Sequence, residues 1–374
     1  MPGNPGKPVT DMRTLLNIII AMLPALGVIS CNSGSRLQSE RQPVDTVGFA
    51  QYEWQVDSVV ARILRLQHDR LAAVSEPLAG TAPLRVAISP HDDYSYVGYL
   101  YPALLQHVNS DVVILFGVGH KAKQFGLEDK IVFGSYRKWK SPRGAVNVSG
   151  LQETLMKKLP EDTFIVHDSL QTVEHSLEAL IPFLEHYNPD VQIIPVIVPY
   201  MSYERMELIS GALAKAISET MNDARLAWGN GWSVVISTDA VHYGNEDWGG
   251  SNYDRFGVDS AGYSLAVKYE EEIMNTMLAG ELTPEKIRAF SSCTVREDDY
   301  RQYKWTWCGR YAVPVGLLTA YRISEMEQKP LTGIPVGYST SIAGSPIPVS
   351  DLGMGLTAPA KLTHWVGYAA VGYR

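Results

Sequence analysis

Residues 84–99 read LRVAISPHDDYSYVGY, and this stretch decides how the rest of the sequence is interpreted. Its apolar run VAI leads directly into a proline and then to His91. Two other apolar runs end in the same way: DVVILFGVGH delivers His120, and SVVISTDAVH delivers Asp239 and His242. Ligands of open α/β sheets bind beyond the carboxyl ends of the strands. The sequence therefore predicts one composite site built from three strand ends.

The composition is that of a globular protein. Of 374 residues, 45% are hydrophobic and 19% are charged, which is enough apolar sequence to bury a sizeable core. The formal net charge is −8. Because phosphate binding requires a basic surface, we expect no nucleic-acid partner.

Predicted strands alternate with predicted helices along the chain. Buried strands are predicted at 84–89, 111–118, 191–198 and 233–238, and two further strands at 337–341 and 365–373. Apolar spacing predicts helices at 52–73, 99–108, 151–159, 203–220, 264–278, 284–290 and 308–324. This alternation favours an α/β fold: a single domain, residues 52–374, with a central, mostly parallel sheet flanked by helices.

The first thirty residues have the pattern of a secretion signal. A basic start precedes an apolar run at 15–29, which is too short for a transmembrane helix. The sequence VISC at 28–31 is typical of a bacterial lipobox. We therefore predict a lipoprotein signal peptide at 1–30, a lipid anchor at Cys31 and a tether at 31–51. The protein would be an exported, membrane-anchored lipoprotein, periplasmic or at the cell surface; the alternative is an ordinary signal peptide.

The remaining cysteines, Cys293 and Cys308, allow two interpretations. An exported protein can join them in a disulfide. Alternatively, Cys308 precedes an apolar helix, and thiolates at helix N-termini have depressed pKa values and bind metal ions readily. The sequence alone leaves both interpretations open.

Histidines and carboxylates supply the other candidates. His91 and His120 lie just past strand ends, where imidazoles can converge on a metal ion, although a single histidine there is often structural. Asp92 and Asp93 either orient the first imidazole or cap a turn.

Two more candidates concern proton transfer. Asp239-x-x-His242 pairs a carboxylate with an imidazole, as a general base requires. His175 is predicted in the first turn of a helix that continues through 177–184, where the helix N-terminus favours the neutral imidazole. A solvent-facing histidine is the alternative for His175.

Six short motifs occur in order along the chain. They are PHxxYxYxG from Pro90, GxGH ending at His120, SPxG from Ser141, EHSxE from Glu174, SxDxxHYG from Ser237 and CGR from Cys308. Together they resemble the Memo family, including its bacterial members labelled AmmeMemoRadiSam system protein B, over about residues 84–370. The resemblance implies a fold like that of the class III extradiol (LigB-type) dioxygenases.

The resemblance also implies a metal site at His91, His120 and Cys308, with His175, Asp239 and His242 lining the same cleft. In the dioxygenases two histidines and a glutamate hold Fe(II). A thiolate in place of the glutamate shifts the preference toward copper or thiolate-bound iron. This sequence departs from the family in its paired aspartates after the first histidine, its expanded aromatic segment at 245–263 and its predicted lipid anchor.

Our leading hypothesis is a Memo-like metal-binding protein with iron- or copper-dependent redox or dioxygenase-like activity on an unknown substrate. His91, His120 and Cys308 would bind the ion, while His175, Asp239 and His242 would transfer protons. One alternative is a non-enzymatic module that binds a peptide or small molecule in the same cleft. The other is a metal-dependent hydrolase in which Asp239 or His175 activates water.

Overall fold

The computed structural model describes residues 40–80, 82–244 and 253–374. Its strands, in chain order, are β1 Glu40–Arg41, β2 Val86–Ser89, β3 Val112–Val118, β4 Ile131–Phe133, β5 Lys138–Ser141, β6 Gly144–Val148, β7 Phe164–Val166, β8 Gln192–Val198, β9 Trp232–Ser237, β10 His242–Gly244, β11 Gly280–Glu281, β12 Thr332–Thr340, β13 Ala360–Lys361 and β14 His364–Tyr373. Its α-helices are α1 Glu53–Leu66, α2 His68–Ser75, α3 Tyr94–Val97, α4 Leu100–Leu105, α5 Leu151–Lys158, α6 Asp168–Val173, α7 Ile181–Tyr187, α8 Tyr203–Asp223, α9 Ser260–Ile273, α10 Pro284–Thr294 and α11 Ala312–Glu327.

The centre of the sheet is parallel. Strands β6, β8, β3, β9 and β2 lie side by side in that order, all parallel. Strands β14 and β12 continue the sheet beyond β2 in antiparallel pairing. Every residue of β2, β3 and β9 is buried, as expected for strands covered on both faces. The predicted α/β class, with its mostly parallel central sheet, is confirmed.

Helices cover both faces of this sheet. Helices α8 and α11 pack against each other, and α11 also packs on β9 and β3. Their apolar residues belong to one core, whereas those of α1, α4 and α7 belong to a second core on the other face. The parallel strands are therefore enclosed, and only their ends are left to form a site.

Several predicted helix boundaries are wrong, three of them in ways that change how the chain is interpreted. The helix predicted at 52–73 is interrupted at Gln67, whose φ of −123° and ψ of 23° are not helical. The helix predicted from 308 begins only at Ala312: residues 308–311 form turns, and the N–H of Gly309 bonds to the Thr238 hydroxyl. His175 is not in a helix: α7 starts at Ile181, and residues 174–180 form an extended segment and turns.

Residues 40–50, called the strap below, lie on the domain although they were predicted as part of a tether at 31–51. Strand β1 pairs with β5, and Arg41 forms a buried ion pair with Glu178 at 2.6 Å. The Glu178 carboxylate also accepts the backbone N–H groups of Val44 and Asp45. An unpaired buried Arg41 would be costly, so these contacts hold the strap on the sheet.

The predicted signal peptide at 1–30 and the predicted lipid anchor at Cys31 lie outside the described residues, as does the first part of the tether. Among the described helices, none combines the length and the apolar character needed to span a bilayer.

Candidate metal and proton-transfer site

Three neighbouring parallel strands end at the same edge of the sheet. Strands β2, β9 and β3 lie next to one another, and His91, Asp239 and His120 each follow the last residue of one strand by two positions. The ring centroids of His91 and His120 are 5.4 Å apart. The order of strands in the sheet therefore brings together side chains that are distant in sequence.

Cys308 reaches the same place from the turn before α11. Its Sγ lies 3.6 Å from His91 Nε2 and accepts the backbone N–H of Asp239 at 3.0 Å. Gly309 packs so closely on Thr238 that a Cβ atom would lie 2.3 Å from the Thr238 hydroxyl oxygen. Only glycine fits there, so the Cys-Gly pair fixes the position of the sulfur.

A cavity of about 290 Å³, called the central cavity below, collects the predicted site residues. It is lined by His91, His120, His175, Asp239, His242 and Cys308, together with Asp45 and Phe49 of the strap and Thr357 and Ala358 near the C-terminus. The potential ligand atoms of His91, His120 and Cys308 all lie within 4.8 Å of one another, as do those of Asp239, His242 and Cys308. A metal ion placed among them could contact several donors at once.

A chain of hydrogen bonds fixes the tautomer of His91. The Ser237 hydroxyl donates its one proton to the Ser176 carbonyl. Ser237 Oγ must therefore accept from His91 Nδ1–H, at 2.8 Å, which leaves Nε2 with a free lone pair. Burial, assisted by nearby His120, holds the pKa of His91 well below its usual value. A neutral imidazole with a bare Nε2 is the form that binds a metal ion.

Glu174 has the equivalent role for His120. Its Oε1 accepts His120 Nδ1–H at 2.8 Å, and the same oxygen accepts the backbone N–H groups of His175 and Ser176. Burial would raise the pKa of Glu174, but the charge and hydrogen bond of His120 outweigh burial and lower it to about 2. An ionised carboxylate behind an imidazole orients the ring and makes Nε2 a better ligand.

The acid–base candidates surround this donor set. Asp239 Oδ2 lies 3.3 Å from His91 Nε2, and Oδ1 accepts the backbone N–H of His91 at 3.0 Å. Burial raises the pKa of Asp239. Burial and neighbouring His120 lower the pKa of His242 to about 3 and that of His175 to about 4. Since His175 is not in a helix, burial rather than a helix dipole keeps its imidazole neutral.

Asp92 and Asp93 form hydrogen bonds with segments that surround the site. Asp92 accepts the Tyr368 hydroxyl at 2.7 Å, and Asp93 accepts the N–H groups of Thr357 and Ala358. The His91 ring is oriented by Ser237 instead. Burial raises the pKa of both aspartates. The sequence left open whether this pair orients the imidazole or caps a turn. The second role is the one observed: Asp92 accepts the N–H of Asp93 within the turn and also bonds to Tyr368 of β14, and Asp93 bonds to the loop at Thr357.

Both described cysteines are free, so the disulfide alternative is wrong for this structure. Cys293 lies in α10, 3.7 Å from Met277 Sδ, away from the central cavity. The depressed pKa expected for Cys308 is also wrong, because burial raises the pKa of its thiol well above the ordinary value. Cys308 is too far ahead of Ala312, the first residue of α11, to benefit from the helix N-terminus.

The sequence model of one family, described as Memo-like protein, matches residues 62–343, which is more than half of the chain. The chain belongs to the Memo-like family. A MEMO1 family protein of Pyrobaculum arsenaticum is 31% identical over 163 residues, covering 42% of this chain and 52% of the relative. A MEMO1 family protein of Pyrobaculum aerophilum is 29% identical over 167 residues, covering 43% of this chain and 54% of the relative. The chain thus spans about half the length of the curated relatives it matches.

The Memo-like match contains all six predicted site residues and also Glu174 and Ser237. Sequence reasoning missed the roles of the last two, although both stand inside the quoted motifs EHSxE and SxDxxHYG. The strap and the wall at Thr357 lie outside the match. The expanded segment at 245–263 is described only from residue 253 onward.

We expect Glu174→Gln to weaken metal binding by about 10–100-fold, because the neutral amide removes the negative charge behind His120. Competition titration of the metal-free full chain with Cu⁺, Fe²⁺ and Zn²⁺ would measure the change. The control is Glu153→Gln, which removes an exposed carboxylate whose partner is Arg137. Equal affinity in both variants would contradict the role assigned to Glu174.

Proposed function

We propose that this Memo-like protein holds an iron or copper ion with His91, His120 and Cys308 and performs oxidation–reduction chemistry on a small molecule. The observation that carries the proposal is the hydrogen bonding of the two imidazoles: each ring bonds through Nδ1 to a partner behind it, so Nε2 is the atom that each can offer to an ion beside the Cys308 sulfur. Two imidazoles and one sulfur form a soft donor set, which suits copper or thiolate-bound iron. Such an ion would supply one-electron chemistry with oxygen or superoxide.

Cys308 has to lose a proton before its sulfur can act as a ligand. Burial raises the pKa of the thiol, so the thiol is protonated in the metal-free protein at neutral pH. The thiol lies next to His91 Nε2, and the backbone N–H of Asp239 already points at the sulfur. This N–H stabilises the thiolate that metal binding requires.

Asp239, His242 and His175 are proposed to handle protons during the reaction. At neutral pH the two histidines are neutral, with pKa values lowered to about 3 and 4, and can accept hydrogen bonds from a bound substrate. Asp239, whose pKa is raised by burial, has its Oδ2 3.3 Å from His91 Nε2 and would therefore lie beside the ion, where it can give a proton to a bound molecule or take one from it. Groups whose environments push their pKa values apart are suited to separate donor and acceptor roles.

Elemental analysis of the full chain, purified without oxygen, tests the proposal. We expect close to one iron or copper ion per chain, and oxygen consumption by the loaded protein with at least one member of a panel of catechols. Failure to retain either metal, with no oxygen consumed, would contradict it and favour a non-enzymatic binding module. Retention of zinc alone, with hydrolysis of ester substrates, would favour the metal-dependent hydrolase.

A further inference from the structure

A second cavity, of about 630 Å³, adjoins the central cavity. The two share His120, Tyr303 and Cys308 in their walls. The second cavity, called the arginine cavity below, is otherwise lined mainly by Lys123, Glu128, Tyr200, Arg301, Arg310 and Tyr311. Its volume is within the range of pockets that bind small organic molecules, about 300–1,000 Å³.

Arg310 is the most buried cation of the arginine cavity, with 7% of its surface exposed. Its guanidinium carbon lies 3.2 Å from the ring centroid of Tyr303 and 4.7 Å from that of Tyr311. Aromatic rings therefore cover much of the guanidinium group, so any further ligand has to approach the edge that carries the N–H groups.

The N–H groups of the Arg310 guanidinium group are only partly used in hydrogen bonds within the protein. Arg310 Nη2 donates to the carbonyl of Arg301 at 3.2 Å, and the Tyr311 hydroxyl also lies beside the group. The Nε atom is buried and has no acceptor among the described residues. A buried N–H without a partner costs about 1–3 kcal/mol, so the contacts within the protein leave the guanidinium group incompletely satisfied.

The charge of Arg310 is not balanced by the acidic side chains of the cavity. Arg301 and Glu128 pair with each other at 2.6 Å, and Asp299 accepts the backbone N–H of Arg301. No carboxylate of the described part of the chain forms an ion pair with Arg310. A buried cation without a paired carboxylate attracts an anion. The edge of a guanidinium group, with its parallel N–H groups, matches the two oxygens of a carboxylate.

We propose that Arg310 binds the carboxylate of an aromatic organic acid in the arginine cavity. The tyrosines Tyr200, Tyr303 and Tyr311 provide aromatic walls for the body of such a ligand. Because His120 and Cys308 line both cavities, the end of the ligand remote from its carboxylate would lie toward the metal site. That the acid is a substrate rests on the proposed function, whereas its binding by Arg310 does not.

Titration calorimetry on the metal-free full chain tests the proposal with a matched pair of probes. We expect 4-hydroxybenzoate to bind at least about tenfold more tightly than the neutral 4-hydroxybenzamide. In Arg310→Gln the ratio of the two affinities should fall to within about twofold, and in Arg310→Lys it should recover in part. Because no metal is present, failure of the metal proposal leaves this result unaffected.

Arg137→Gln is the matched control. It removes an exposed arginine that is paired with Glu153 and does not line the arginine cavity, so it should keep the preference for the benzoate. The comparison of the two probes in the unaltered chain does not depend on how well any variant folds. Equal binding of the probes, no binding of the benzoate at millimolar concentration, or an unchanged ratio in Arg310→Gln would overturn the proposal.

Discussion

His91→Ala should purify without iron or copper under conditions in which the unaltered chain retains close to one ion. Loss of an outer hydrogen-bond partner of a ligand already weakens binding by about 10–100-fold, so loss of the ligand itself should exceed that range. The substitution also deprives Cys308 of the imidazole nitrogen that lies 3.6 Å from its sulfur. Elemental analysis of both proteins, purified in parallel, measures the effect.

Two further variants separate metal binding from folding. His91→Gln retains a polar side chain in the buried position but lacks the imidazole lone pair, so it should lose the metal as well. His68→Ala replaces an exposed histidine outside the central cavity and should leave the metal content unchanged. Circular dichroism would verify that each variant is folded. Full metal retention by folded His91→Ala would exclude His91 as a ligand.

Arg41→Ala should lower the free energy of unfolding by about 3–5 kcal/mol, because it leaves Glu178 as an uncompensated buried charge. The side chains of the pair are only 2% and 6% exposed. Arg41 also donates to the carbonyls of Gln171 and Glu174, and its guanidinium group lies 4.2 Å above the ring of Trp139. Urea denaturation, followed by circular dichroism, would measure the loss.

The size of this effect distinguishes a buried pair from a surface pair. Arg322→Ala breaks an exposed pair with Glu325 and should cost no more than about 1 kcal/mol. Adding Glu178→Gln to Arg41→Ala removes the unpaired charge and should restore part of the stability. If Arg41→Ala costs no more than the surface control, the strap is not held by its ion pair.

The sequence was sufficient to predict the elements that depend on local pattern. Continuous apolar runs predicted β2, β3, β8 and β9, and the residues after three of these runs do converge at one edge of the sheet. The convergence could be anticipated because parallel strands end together. The later start of α11 could not be anticipated, since the turns at 308–311 pack on Thr238, a residue that is distant in sequence.

Hydrogen-bond partners that are distant in sequence could not be predicted from local sequence patterns. Glu174 orients His120 across 54 positions, and Ser237 orients His91 across 146. The neighbours Asp92 and Asp93 were more obvious candidates for that task, yet Asp92 bonds to Tyr368 of β14 and Asp93 bonds to the loop at Thr357. The strap was missed for a related reason: its composition is that of a linker, and the contacts that attach it to the domain, with β5 and Glu178, are distant in sequence.

The outer walls of the central cavity come from parts of the chain that precede and follow the family match. Asp45 and Phe49 enter from the strap, and Thr357 and Ala358 enter from beyond residue 343. Glu178 and Asp93, both inside the match, provide the anchors for these additions. Grafting different outer segments onto the same anchors offers a route to altered ligand selectivity with the side chains of the proposed ion site left untouched.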